Sequence, residues 1–245
     1  ADVEQVAHGV GLDERIGEAF LQAGPGYGGS CFPKDTTALQ AIAQEYGINL
    51  RLVETVIASN DARKRGMGRR VSRALPGGLS GRVVAVLGLT FKPNTDDMRD
   101  SPSLALIDAV QRAGAKVQVF DPQGMNRARL HLHDVHFADD AYLCAEGADC
   151  IVLATHWPEF ATLDAEWLGR GVRNKVLVDL RNFLDPQAFL NAGFAVHAIG
   201  RPPQHPRRHN LVAAQRHRAS NQAREAFING AKQRPYPALQ DGMNG

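Results

Sequence analysis

The sequence predicts an α/β protein in which a helical region precedes a doubly wound parallel sheet, and two observations carry that expectation. Across residues 81–200, short runs rich in β-branched side chains at 83–87, 117–120, 150–154, 176–178 and 194–199 alternate with helical stretches at 101–113, 139–146 and 186–192. Strands separated by helices form parallel sheets with crossover connections. Across residues 1–75, by contrast, apolar residues recur at three- and four-residue steps, the period of an amphipathic helix. The frame is an ordinary globular one of 245 residues, 44% hydrophobic and 22% charged. No apolar run reaches the ~18 residues that span a bilayer, so a membrane-spanning protein is excluded and no membrane partner is expected.

Taken in order, residues 1–21 read as helix already under way. Val3, Val6, Ala7, Val10, Ile16 and Phe20 keep helical steps through Gly9 and Gly11, and the first residue is Ala1, so the chain is expected to begin inside a longer protein. After a Gly-rich break at 24–29, Pro33 opens a helix that Gly47 closes, proline suiting the first turn and glycine the position past the end. A second helix over 48–75 carries Leu52, Val53, Val56 and Ile57, then Met67, Val71 and Leu75, on one stripe through a polar middle. Pro76-Gly77-Gly78 marks a linker, and the α/β domain follows at 80–200. Such sheets bind ligands outside the carboxyl ends of their strands, which singles out residues 88–99, 121–122, 155–160 and 179–182. The segment 201–245 carries five prolines and few large apolar residues and is expected to be disordered.

The formal net charge of +2 conceals an uneven distribution. Residues 201–245 carry +6 and residues 1–200 carry −4, so the basic character belongs to the tail. Without interleaved aromatics that tail reads as a solvated extension, and no nucleic-acid partner is expected. Cys31, Cys144 and Cys150 are too few for a disulfide framework, and a reducing cytoplasm is the expected setting. His131, His133 and His136 lack a second ligand group at suitable spacing, so no metal is expected.

Two segments carry candidate chemistry. Gly24, Gly26 and Gly29 match the dinucleotide pattern Gly-x-Gly-x-x-Gly, but a helix end rather than a strand precedes them, and the match is read as false. Cys31 lies close to the helix start at Pro33, where unpaired amides and the dipole favour a thiolate, and Lys34 adds a cation. That is a nucleophile's setting, although a lone cysteine is equally at home as a small buried hydrophobe. Farther on, residues 88–103 follow the first strand and enter a helix capped by Ser101 with Pro102 in its first turn. Lys92 and Arg99 there suit phosphate groups, or else pair with Asp96, Asp97 and Asp100.

Gly-Tyr-Gly-Gly-Ser-Cys-Phe-Pro-Lys-Asp at 26–35 resembles the catalytic-cysteine motif of the UDP-glucose/GDP-mannose dehydrogenase family. Phe-Lys-Pro-Asn-Thr-Asp-Asp-Met-Arg-Asp-Ser-Pro-Ser at 91–103 resembles that family's nucleotide-sugar signature, with Asp13-Glu14-Arg15-Ile16-Gly17 upstream and Val178-Asp179-Leu180-Arg181-Asn182 downstream. The spelling favours the family's UDP-glucose branch over those oxidising GDP-mannose or UDP-N-acetylmannosamine. The resemblance implies oxidation of UDP-glucose to UDP-glucuronate with two NAD, Cys31 as nucleophile, and Asp35 and Lys34 assisting. It places Tyr27, Gly28, Phe32, Phe91, Lys92 and Arg181 at the sugar nucleotide, Arg15 at the substrate of a second subunit in a homodimer built on residues 1–75, and Arg99 with Lys34 at NAD. Two departures stand out: Gln22 replaces a basic residue found in some relatives, and His156 stands where an acid is more usual. The family's N-terminal NAD-binding domain is not among these residues, which leaves a non-catalytic nucleotide-sugar-binding and dimerisation fragment as the alternative.

Overall fold

Val84 and Val86 turn to one face of the central sheet while Ala85 and Leu87 turn to the other, and all four are fully buried. A period of two with both faces covered is the signature of a parallel strand between helical layers. The computed structural model describes residues 1–206, in the order α1 (Val3–Gly11), α2 (Phe32–Glu45), α3 (Arg51–Ala74), β1 (Val83–Leu87), α4 (Pro102–Arg112), β2 (Lys116–Phe120), α5 (Met125–Ala128), β3 (Val135–Phe137), α6 (Ala141–Ala145), β4 (Cys150–Leu153), α7 (Ala165–Gly171), β5 (Val176–Asp179), α8 (Pro186–Asn191) and β6 (Ala195–Ala198). The expected disorder of 201–245 lies outside the described residues from position 207 onward.

All six strands run parallel in the order β3-β2-β1-β4-β5-β6. The order reverses between β1 and β4, and the crevice above that switch point is where a doubly wound sheet takes its ligand. One face packs Val84, Val117, Val152 and Val178 against Met67 and Val71 of α3 and Leu106, Ile107 and Val110 of α4. The other packs Leu87, Ile151 and Leu177 against Cys144, Leu168, Phe189 and the fully buried Trp157 and Phe160. The long α3 thus belongs to the sheet's own core. A Cβ on Gly68 would come within 2.6 Å of Ala109 Cβ, so only glycine lets α3 lie this close to α4.

Several elements differ from the sequence expectation. α1 ends at Gly11, and residues 12–21 form turns, because Asp13 accepts from the Arg15 N–H at 3.0 Å and Gly17 adopts φ 65°. β3 is only three residues with His136 at its centre, too short to show a period, and α7 carries Gly169 and Gly171, which mask its helical pattern. The stripe over 48–75 also divides: Met67, Val71 and Leu75 are buried, whereas Leu52 is 84% exposed. α1 is anchored to the end of the sheet domain through Val3 N–H to Gly200 C=O (3.0 Å), Asn182 to Glu4 (2.9 Å) and Arg201 to Asp2 (2.9 Å). Gln204 then pairs antiparallel with Val196 of β6.

Candidate active site

The Gly-rich segment before α2 is fastened between α3 and the loop that follows β1. Asn60 of α3, buried, accepts from the Tyr27 N–H at 2.8 Å and donates to the Tyr27 carbonyl at 3.2 Å. Arg63 donates to the Gly24 carbonyl (2.7 Å), and the buried Lys64 donates to the Asp100 carbonyl (3.2 Å). On the other side the Gly29 N–H donates to the Arg99 carbonyl at 2.8 Å. The approach leaves no room for side chains: a Cβ on Gly28 would lie 2.3 Å from the Asp100 carbonyl oxygen, and one on Gly29, at φ 90°, would meet the Phe91 ring at 2.7 Å.

This fastening delivers Cys31 to the N-cap of α2, exposed, with Pro33 in the first turn. Its Sγ lies 3.6 Å from Ser30 Oγ and makes no capping hydrogen bond to the first helical turn. Lys34 and Asp35 pair at 2.8 Å, and this pairing, with a smaller contribution from Cys31, raises the Lys34 pKa. Arg99 pairs with Asp97 at 2.8 Å and is likewise raised, first by Asp97 and in smaller part by Cys31. Gly29, Ser30, Pro33, Lys34, Thr37, Arg99 and Asp100 line an open cleft of about 730 Å³.

The carboxyl edge of the sheet supplies the second half. Arg181, just past β5, donates through Nε to the Ala154 carbonyl (2.8 Å) and through Nη2 to the Phe91 carbonyl (3.3 Å). Burial brings its pKa down to about 10 against the pull of Asp179. Asp179 caps the same turn by accepting from the N–H groups of Arg181, Phe183 and Leu184, while burial pushes its carboxyl up. Lys92, an exposed residue, holds its Nζ 5.3 Å from the Phe91 ring centroid. Below them Asp121, fully buried after β2, accepts from the N–H groups of Leu89 (2.6 Å) and Thr90 (3.1 Å), from Trp157 Nε1 (2.9 Å) and from the Gln123 (3.1 Å) and Gly124 (2.6 Å) N–H groups. One carboxylate therefore ties the loops after β1, β2 and β4 into a single floor.

Two family models match this chain: the central domain of the UDP-glucose/GDP-mannose dehydrogenase family over residues 1–62, and the UDP binding domain of that family over residues 85–186. The chain belongs to the UDP-glucose/GDP-mannose dehydrogenase family. A UDP-glucose 6-dehydrogenase of Rhizobium meliloti is 52% identical over 202 residues, which are 82% of this chain and 46% of that protein. UDP-glucose 6-dehydrogenase TuaD of Bacillus subtilis is 41% identical over 203 residues, again 82% of this chain and 44% of that one. A UDP-glucose dehydrogenase structure from Pyrobaculum islandicum superposes with a TM-score of 0.67 at 38% identity, covering 75% of this chain and 41% of that one. The chain spans about half the length of the curated relatives it matches.

Within this dehydrogenase family frame, Tyr27, Gly28, Cys31, Phe32, Lys34, Asp35 and Arg99 lie on or beside one loop, and Phe91, Lys92 and Arg181 join them through the Phe91 ring and carbonyl. Arg15 stays apart, paired with Asp13 at 2.6 Å with its side chain 88% exposed. Of the two departures, Gln22 lines a small cleft with Glu4, His8 and Glu18. His156 packs 5.7 Å from Phe183, its Nδ1 buried without a hydrogen-bond partner, and burial followed by the Arg181 charge lowers its pKa. The glycines at 24, 26 and 29 follow turns rather than a strand. Cys144 and Cys150 are buried, and burial pushes the Cys144 thiol up to about 12 and Cys150 higher still. Among the described residues no group of His, Cys, Asp and Glu could hold a metal ion. Asn60 and Lys64 are positioning residues that sequence reasoning passed over, and Asp121, singled out only as part of a ligand-side loop, proves to be a third.

Proposed function

We propose that this chain supplies the nucleophile and the sugar-nucleotide site for NAD-dependent oxidation of UDP-glucose to UDP-glucuronate. The observation that carries this reading is the linkage of Cys31, at the start of α2, to Lys92 and Arg181 through Gly29 and Phe91. Lys92 and Arg181 offer cations to the diphosphate, Arg181 with its guanidinium plane already fixed. The C6 alcohol is oxidised to an aldehyde; the Cys31 thiolate then attacks that carbon, giving a thiohemiacetal. Loss of the second hydride leaves a thioester, and water releases the carboxylate and regenerates the thiol. Asp35, held by Lys34, takes the water proton. Lys34 and Arg99 fit the phosphates of NAD in the cleft before α2 by charge and position. Two NAD, bound in turn, would supply the acceptors, one for each hydride.

The homodimer belongs to the same proposal. Leu12, Phe20, Tyr46 and Leu52 are 71%, 97%, 77% and 84% exposed, and so large an apolar surface over residues 1–75 reads as an interaction face. In that dimer Arg15 reaches the substrate of the partner. The division at 1–75, 80–200 and 201–245 and a reducing, cytoplasmic setting complete the reading; no helix among the described residues is long and apolar enough to cross a membrane. Titration calorimetry with UDP-glucose and GDP-mannose, alongside NADH absorbance, tests it. UDP-glucose should bind in preference to GDP-mannose and Lys92→Ala should weaken it, while Cys31→Ser should keep binding and lose UDP-glucuronate formation. Full UDP-glucuronate formation by Cys31→Ser would overturn the mechanism, and binding without any NADH would assign the chain to binding and dimerisation alone.

A further inference from the structure

The C-terminal half of α3 carries a second cationic face that the site above does not use. Gly66, Arg69, Arg70 and Arg73 lie on successive turns and, with Met67, His197 and Pro203, line a cleft of about 370 Å³ between α3 and β6. Among the described residues no aspartate or glutamate lines it. Arg70 is steadied by donating to the Ala198 carbonyl at 3.2 Å, whereas Arg69 and Arg73 meet no acceptor among the described residues. We infer that this cleft binds a diphosphate group, carried either by a nucleotide or by inorganic pyrophosphate.

Three lines of chemistry lead there. Guanidinium groups are planar forks that take phosphoryl oxygens two at a time. Residues three and four apart on a helix are neighbours, so Arg69, Arg70 and Arg73 present forks on adjacent turns about 5.4 Å apart along the axis. Two linked phosphoryl groups engage both turns, and a single phosphate engages one. The cations also crowd one another: burial and then the Arg70 charge lower the Arg63 pKa, and burial, His205 and Arg70 together lower that of His197. An anion in the cleft relieves this repulsion. The floor at Gly66 is open: even a Cβ there would meet only Arg69 Nη2, at an ordinary 3.9 Å. The catalytic loop rests on Asn60 and Lys64, which are buried positions earlier on the helix, so the two sites are separate.

The test titrates the full chain with inorganic pyrophosphate, inorganic phosphate and UDP, following the Arg Nε–H and His197 imidazole resonances by NMR, with calorimetry for affinity. Arg69→Gln/Arg73→Gln removes two forks that meet no acceptor among the described residues, so its melting temperature and UDP-glucose affinity should match those of the unaltered chain. Pyrophosphate should shift Arg69, Arg70, Arg73 and His197 together, bind more tightly than phosphate, and weaken about tenfold or more in the double variant. UDP shifting the same resonances in a Lys92→Ala background would make a nucleotide the source, and pyrophosphate alone doing so would make it inorganic. Unmoved resonances, equal binding by the double variant, or phosphate binding as tightly as pyrophosphate would overturn the site.

Discussion

Removing the Asn60 side chain is expected to loosen the loop that carries Cys31 without touching any group at the reacting centre. Asn60→Ala deletes two hydrogen bonds to Tyr27, at 2.8 and 3.2 Å, from a helix position that is only 7% exposed. Each such bond contributes about 1 kcal/mol net, and a backbone group left unpaired in a partly buried place costs about 1–3 kcal/mol. The sum is about 3–5 kcal/mol. For a body of this size, each kcal/mol lowers the melting temperature by about 2–4 °C, so a fall of about 6–20 °C is expected. The Gly29 N–H, bonded to the Arg99 carbonyl at 2.8 Å, gives the local readout. If the loop opens about 2 kcal/mol more easily, its hydrogen exchange accelerates roughly thirtyfold. Amides of β1 and β4 should follow only the global change. A melting temperature within about 1 °C of the parent, with Gly29 exchange unaltered, would refute the claim that α3 holds the loop.

Two further outcomes follow from the same geometry. Gly28→Ala places a Cβ 2.3 Å from the Asp100 carbonyl oxygen, so the loop must move away from α4 and UDP-glucose affinity measured by calorimetry should collapse; undiminished binding would show that Gly28 does not lie at the substrate. Asp149, fully buried at the start of β4, tests pH dependence. Burial alone would raise its carboxyl, but the Val83 N–H at 2.9 Å, Arg82 at 3.1 Å and Arg173 at 2.9 Å outweigh that and hold it below the ordinary value of 3.8. A depressed folded pKa means that the unfolded chain binds the proton first, so this stability is present above the ordinary carboxylate range and is lost as pH falls through it. Urea midpoints from about pH 7 down to about pH 3 should therefore fall more steeply for the parent than for Asp149→Asn, and parallel curves would remove Asp149 from the acid response.

What the sequence made legible was local. The glycines at 26, 28 and 29, the proline after Cys31 and the Ser101-Pro102 cap act on residues within a turn of themselves, and the structure places a loop, a helix start and a second helix start at those points. The alternation in 83–87 survived for the same reason, since one strand's pleat decides which face each side chain meets. The positioning residues were hidden because their partners are distant in sequence. Asn60 and Lys64 continue the stripe from Ile57 toward Met67 and Val71 at three- and four-residue steps, and that continuity was the available signal that two polar side chains face inward. Whether Asp121 turns inward depends on Trp157, thirty-six residues later, which no local pattern reports.

Asp121 also bears on what this sheet can no longer do. In doubly wound sheets that hold a dinucleotide, an acid near the end of the second strand reads the ribose hydroxyls. Here that position is occupied by an acid whose Oδ2 accepts from Leu89, Thr90 and Trp157 and whose Oδ1 accepts from Gln123 and Gly124, with no exposed surface remaining. It has no acceptor left to offer a sugar. The acid that would read a ribose in such a sheet serves here as internal scaffolding, tying three loops together. On the proposed reading, ligand discrimination then falls to charge and shape at the rim, at Lys92 and Arg181, while the acid beneath is bound into the fold itself.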